Sequence, residues 1–254
     1  MVDWHDGGRA CKAELPVLKS SVIKAASADA RLRGGMYALF RQYYEGVSEN
    51  QFESDLAAKD TLVILRDDAG VLRGFSSLAV SSHVCGGAAA RVAFSGDTII
   101  ERAFWGSPAF SFSWIRHIAA VAAEAPGVPL YWLLIVKGHR TYRYLPAFAR
   151  VFVPDWRGRD DPGLAALRDD LAANRFGAAY DREAGIVRCA QPAGRLAPEW
   201  AAVSAREAQR LDVRFFLRRN PGYALGDELV CLCPLRPDNM QPLARRIYLG
   251  AGQA

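Results

Sequence analysis

The sequence predicts a mixed α/β (α+β) fold: an antiparallel meander feeding one parallel β-α-β crossover, with an α+β extension after it. Three observations carry this. Leu62–Leu65 runs into the turn residues Asp67-Asp68-Ala69-Gly70 and out again through Val71–Val80, which is a hairpin. Ser107-Pro108 supplies a capping hydroxyl and a proline suited to a first helical turn. Leu130–Val136 is an uninterrupted apolar run, the pattern of a strand covered on both faces.

The other elements follow in chain order. Met36, Leu39, Phe40 and Tyr43 recur at helical spacing, and Ser48-Glu49-Asn50-Gln51 opens a second helix whose Phe52 and Leu56 share a face. Two helices therefore precede the first strand signal. Cys85-Gly86-Gly87 is a turn, and residues 91–100 read as a third strand. A helix over 108–125 carries Phe110, Trp114, Ile118 and Val121, is apolar almost all round, and stops near Pro126-Gly127. Strand 91–100, this helix and strand 130–136 then form a right-handed crossover with parallel strands. Beyond Trp156, helix signals recur at 162–174 and 198–211, and strand-like runs at 185–189, 213–217 and 228–232. Residues 1–156 are expected to be the core, with 157–254 an extension packed on it.

Composition bounds the function. The 254 residues are 51% hydrophobic and 23% charged, a globular balance that excludes disordered tails, collagen-like repeats and bare coiled coils. The net charge is +5, too small a bias to indicate nucleic acid. It is concentrated: Lys137, Arg140, Arg143, Arg150, Arg157 and Arg159 face one acid, Asp155, so the surplus of this segment equals that of the chain. If the segment is helical, Arg143 and Arg150 share an exposed face while Leu145, Phe148 and Phe152 turn inward. Only five of the 32 basic residues are lysine, and guanidinium forks suit phosphates and carboxylates.

Five cysteines (Cys11, Cys85, Cys189, Cys231, Cys233) show no paired spacing, with Cys231 and Cys233 on one face of a strand, and four histidines lack ligand spacing. No metal is expected, and the thiols read as reduced and structural. Met1–Lys19 shows no signal-peptide pattern, and the longest apolar stretch, 110–123, is interrupted by Arg116-His117 and too short to span a bilayer. The expected location is cytoplasmic. Neither a Gly-x-Ser-x-Gly elbow nor a P-loop occurs.

Two helices, a three-strand meander, a helix, a parallel strand and a final helix form the order seen in GNAT-type N-acyltransferases. Met36–Val153 resembles that superfamily. Phe52–Lys59 precedes the first hairpin, and Gly70-Val71-Leu72-Arg73-Gly74-Phe75 is similar to its G-x-x-x-G-F second strand. The family's phosphate-cradling motif, Q/R-x-x-G-x-G/A, has an off-register counterpart in Glu101–Ala109, with Arg102, Trp105, Gly106 and Ser107 but no second glycine. A glycine leading into a helix N-terminus still favours a phosphate.

The resemblance implies an acyl thioester co-substrate (on coenzyme A or on an acidic acyl carrier protein), no tightly bound cofactor, and direct transfer to an amine of a small molecule or peptide. It places the carbonyl-polarising N–H groups near Gly96 or Ile100–Glu101. It offers Asp97 or Glu101 as base, and Tyr142 or Tyr144 as the acid meeting the thiolate. Arg140 and Arg143 join the donor side. Pro146 interrupts the helix that should hold the tyrosine. His139, at the exit of the apolar strand, is a base or a surface-loop residue; His117 reads as structural. Phe104, Trp105 and Phe110 suit a longer acyl chain. The alternative is a non-catalytic module using the arginine segment 137–159. A further option places the site in the extension, through Asp227-Glu228.

Overall fold

The computed structural model describes residues 17–189 and 194–251, so Cys11 and the N-terminal segment lie outside the described residues. One sheet of eight strands organises them: β1 (Lys19–Lys24), β2 (Thr61–Arg66), β3 (Leu72–Cys85), β4 (Ala88–Ile100), β5 (Leu130–Val136), β6 (Tyr180–Asp181), β7 (Ile186–Val187) and β8 (Glu228–Pro234). Their order is β1-β2-β3-β4-β5-β8-β7-β6. Only β4 and β5 are parallel, joined through α3 (Ala109–Ala123) as the sequence predicts.

Alternation along the strands divides the core between the two faces. On one face, Ala93, Trp132, Leu134, Val136, Cys231 and Cys233 pack against Trp114, Ile115 and Ile118 of α3 and Ala244 of α10 (Pro242–Gly250). The Trp114 and Trp132 rings lie 4.3 Å apart, and buried Trp132 Nε1 donates to Ser95 Oγ at 2.8 Å. Each fully buried large side chain contributes on the order of 1.5–3 kcal/mol, so this face anchors the crossover. On the opposite face, α1 (Ala30–Phe40) and α2 (Glu49–Ala57) cover β2 and β3, while α6 (Pro162–Phe176) covers β4, β5 and β8. A gap separates the two helical covers. Ser48 caps α2 by accepting from Gln51 N, and Asp161 caps α6 ahead of Pro162.

Several expectations need correction. Strand β1 precedes both helices; its sequence, Lys-Ser-Ser-Val-Ile-Lys, is almost wholly exposed on a sheet edge, so no apolar alternation announces it. Residues 213–217 are helical, within α9 (Leu211–Arg219), because Val213 and Phe216 are buried at a spacing of three. The 198–211 signal breaks into α7 (Pro198–Ala201) and α8 (Ala205–Ala208) before α9 begins. Helix α3 starts at Ala109, with Pro108 as its cap residue and Ser107 Oγ 3.4 Å from Ala109 N.

After β5, two short helices, α4 (His139–Tyr142) and α5 (Tyr144–Phe148), end at extended Ala149, so Arg143 and Arg150 do not share a helix face. Strand β8 pairs with β5 from Leu229↔Val136 to Pro234↔Tyr131, so residues after 156 complete the same sheet as those before it.

Candidate functional site

Strands β4 and β5 pair from Arg91↔Leu130 to Ser95↔Leu134 and then separate. The parting begins at a bulge: Ser76 faces Thr98 and Leu78 faces Ser95, so Gly96 and Asp97 together oppose Ser77. Beyond it, the β4 main chain loses its ladder partner on the β5 side. Gly96 is closely covered: a Cβ there would lie 2.5 Å from both Lys59 Cε and Ser77 Oγ, so any side chain would displace the lysine and the serine.

Two cavities meet at this gap, sharing Tyr44, Thr98, Thr141, Tyr144 and Phe148 in their walls. The first, about 900 Å³, lies towards the start of α3. Trp105, Gly106, Ser107, Arg140 and Arg143 line it, with an apolar wall from Phe112, Ile115, Ala147 and Ile247. Gly106 has φ +94° and open space where a Cβ would stand. The first N–H groups of α3 have no intrahelical acceptor, and the helix dipole favours an anion there. Arg140 lies over the Trp105 ring at 5.5 Å and donates to Trp200 O and Glu207 Oε1. Arg102 is exposed beside this cavity, over Trp200 at 5.6 Å.

The second cavity, about 740 Å³, includes Lys59, Phe94, Gly96, Asp97, Lys137, Arg175 and Glu228 in its lining. Burial pushes the Asp97 carboxyl above its ordinary range, with Lys137 and Lys59 pulling it back. Glu228 is raised for the same reason, although Lys137 lies 3.5 Å away. Burial lowers Lys59, while Asp97 and Asp55 oppose the shift. Asp97 forms no hydrogen bond or ion pair among the described residues, so its carboxylate is available to a ligand.

The other predicted residues separate clearly. Tyr144 stands in the walls of both cavities, and burial pushes its hydroxyl up to about 12. Tyr142 does not reach the gap. It is fully buried, donates to Pro154 O at 2.7 Å and accepts from Trp156 N at 3.0 Å. Glu101 is held by Arg73 at 2.8 Å and lines neither cavity. His139 is buried against Glu207 Oε1 at 3.0 Å, off the cavity walls. His117 bonds Thr61 Oγ1 at 2.7 Å.

The arginine segment is largely neutralised from within. Lys137 pairs with Glu228, Arg140 with Glu207 and Arg157 with Asp155; Arg143 is 9% exposed and 3.7 Å from Asp212. Arg150 and Arg159 stay exposed, but with Lys137, Arg140, Arg143 and Arg157 each beside a carboxylate, the segment's surplus is not gathered on one helix face. Tyr44 and Arg175 carry no sequence signal; Lys59 ends the quoted Phe52–Lys59 stretch without a role assigned to it, and Glu228 belongs to the Asp227-Glu228 pair offered for a site in the extension.

Buried charges at this junction couple stability to pH. For Glu207, burial would raise the carboxyl, but hydrogen bonds from Ser204 and His139 and the charge of Arg140 hold it at about 2. Burial lowers both His139 and His117 from 6.5. A depressed histidine contributes stability above its unfolded pKa and loses it as pH falls through the folded one. His117→Gln with His139→Gln should therefore flatten the fall of the urea midpoint below about pH 6.5. Asp97 and Glu228 act in the opposite sense, so the comparison of variant with native protein carries the test. An unchanged slope rules the histidines out as its source.

No family model matches the chain, and no curated protein matches it. Solved structures do. A probable N-acyltransferase from Enterococcus faecalis V583 aligns with 54% of this chain and 33% of its own at 17% identity, TM-score 0.40. A GNAT family N-acetyltransferase from Escherichia coli, in complex with CoA, aligns with 52% of this chain and 70% of its own at 15% identity, TM-score 0.36. An acyl-CoA N-acyltransferase from Pseudomonas aeruginosa aligns with 53% of this chain and 91% of its own at 15% identity, TM-score 0.37. This chain therefore matches only a third of the first structure's length. The order of elements, an antiparallel meander feeding one parallel crossover, is the one the sequence predicts. What the site does rests on its own geometry. Among the described residues no helix is long and apolar enough to cross a membrane.

Proposed function

We propose that this protein transfers an acyl group from a thioester, with coenzyme A as carrier, directly to a primary amine. One observation carries the reading: two cavities that share Tyr44, Thr98, Thr141, Tyr144 and Phe148 in their walls meet where β4 and β5 part, so a donor in one and an acceptor in the other can touch there. The larger cavity suits the donor, its phosphates near Gly106, Ser107 and the start of α3, and its alkyl portion along Phe112, Ile115 and Ile247.

The chemistry follows from the groups at the gap. Asp97 takes one proton from the bound ammonium, and the free amine attacks the thioester carbonyl, forming the C–N bond. A β4 main-chain N–H released from the ladder polarises that carbonyl. As the C–S bond breaks, Tyr144 gives its proton to the thiolate and recovers the second proton from the new amide nitrogen. Asp97 then releases its proton to water. The products are an amide and a free thiol, with no covalent enzyme intermediate. A tyrosine pushed up to about 12 stays protonated across the working range, as an acid must.

The test is thiol release from a panel of acyl-CoA thioesters on addition of amines, with mass spectrometry locating the acyl group. Gly106→Val should raise the donor KM at least about tenfold, roughly 1.4 kcal/mol, because it adds a branched side chain at a positive-φ position in the donor wall. An unchanged KM places the donor elsewhere.

A further inference from the structure

The second cavity holds two cations without a carboxylate partner. Lys59, just past α2, donates from Nζ to the carbonyl of Asp55 at 2.8 Å and lies 5.8 Å from the Phe94 ring centre. Arg175, in the last turn of α6, lies 3.7 Å from the same centre. Neither forms an ion pair among the described residues, and burial lowers the pKa of both. In contrast, Lys137 already has Glu228. An arginine and a lysine facing one aromatic ring, neither in an ion pair among the described residues, make a clamp for an anionic group.

The clamp lies close to the carboxylate that serves as base. A Cβ on Gly96 would stand 3.4 Å from Lys59 Nζ, so the lysine cation lies over the residue preceding Asp97. From Phe94 to Asp97 the strand rises about 10 Å at most, less with the bulge. Two hydrogen bonds of about 2.9 Å and a short molecule carrying opposite charges fill that span.

We propose that the acceptor is a free amino acid bound as a zwitterion, its carboxylate held by Lys59 and Arg175 over Phe94 and its ammonium against Asp97 at the gap. This rests on the acyl-transfer reading of Asp97. The arrangement matches each ligand charge with an opposite one, and the Asp97 charge that the ammonium compensates is the one that takes its proton. The clamp cations also lower the affinity of the bound nitrogen for its proton, which helps the transfer to a carboxylate. Ser81, Ser82 and His83 in the same wall leave a polar margin for the amino-acid side chain.

The experiment compares each of the twenty standard amino acids with its carboxamide as acceptor, using acetyl- and octanoyl-CoA and following thiol release. The expected result is at least a tenfold higher kcat/KM for the best amino acid than for its amide. In Arg175→Met and in Lys59→Met that ratio should fall towards one, through KM more than kcat, at unchanged unfolding temperature. Amides as good as the acids, or phosphoethanolamine better than either, overturn the proposal while leaving acyl transfer standing. If no amine releases thiol, the acyl-transfer reading fails, and calorimetric titration with the amino acids decides separately. Binding that is lost in Arg175→Met keeps the zwitterion site, and no binding to the native protein overturns it.

Discussion

Asp97→Asn is expected to lower kcat/KM for acyl transfer by about a thousandfold, within the range for removing one acid–base group, without destabilising the protein. The two halves of this result have one cause. Asp97 sits on the bulge where β4 leaves β5, where burial raises its carboxyl and only the more distant charges of Lys137 and Lys59 oppose that shift. A raised carboxylate favours the fold while protonated and loses that contribution as pH rises through the folded value. At pH 7 it is therefore a strain on the native state, and the neutral amide removes the strain at nearly constant volume. With no hydrogen bond or ion pair to break, the unfolding temperature at pH 7 should equal or exceed that of the native protein. The same shift predicts the pH profile. In the native protein kcat/KM rises with pH through a value above the ordinary carboxylate range; in Asp97→Asn that limb disappears and only the ionisation of the amine remains. Activity within tenfold of native, or an acidic limb that survives the substitution, removes Asp97 from the base role.

How far this site can be read from the sequence depends on how local its determinants are. The β4-α3-β5 crossover is legible because proline, serine and an unbroken apolar run lie within some thirty residues of one another. Asp97 is legible for the same reason, as a carboxylate at the end of a strand inside that unit. The acceptor cavity is not. Lys59 comes from the end of α2, Lys137 from the exit of β5, Arg175 from the last turn of α6 and Glu228 from the head of β8. Their meeting depends on β8 inserting beside β5, a pairing that separates residues by nearly a hundred positions. Long-range pairing also explains why a net charge summed over 137–159 misleads. The compensating carboxylates Glu207, Asp212 and Glu228 lie far downstream and reach the segment only through tertiary structure. Strand β1 escapes notice for a different reason: an edge strand exposed along most of its length needs no apolar period to pair.

Sequence alone offers two tyrosines for the acid, and the structure separates them by what each hydroxyl touches. Tyr144→Phe is expected to lower kcat by about a hundredfold, the low end for a single acid–base group, with an unchanged unfolding temperature. Its hydroxyl makes no hydrogen bond among the described residues and stands in the wall of both cavities, so removing the oxygen breaks no bond that holds the fold. Tyr142→Phe is expected to do the reverse. That hydroxyl lies in an apolar interior with the rings of Phe152, Phe215 and Phe216 around it, donating to Pro154 O and accepting from Trp156 N. Losing it leaves a buried carbonyl and a main-chain N–H without their partner, a cost of about 1–3 kcal/mol. The pair also ties α4 to the chain entering α6, so the urea midpoint should fall while kcat in the folded protein stays within a factor of two or three. Measuring kcat and the urea midpoint for both variants gives two independent readouts. If Tyr142→Phe lowers kcat as far as Tyr144→Phe does, the hydroxyl at the gap is not the proton donor. If both variants keep native kcat, the thiolate leaves without a tyrosine, and its proton comes from water in the donor cavity.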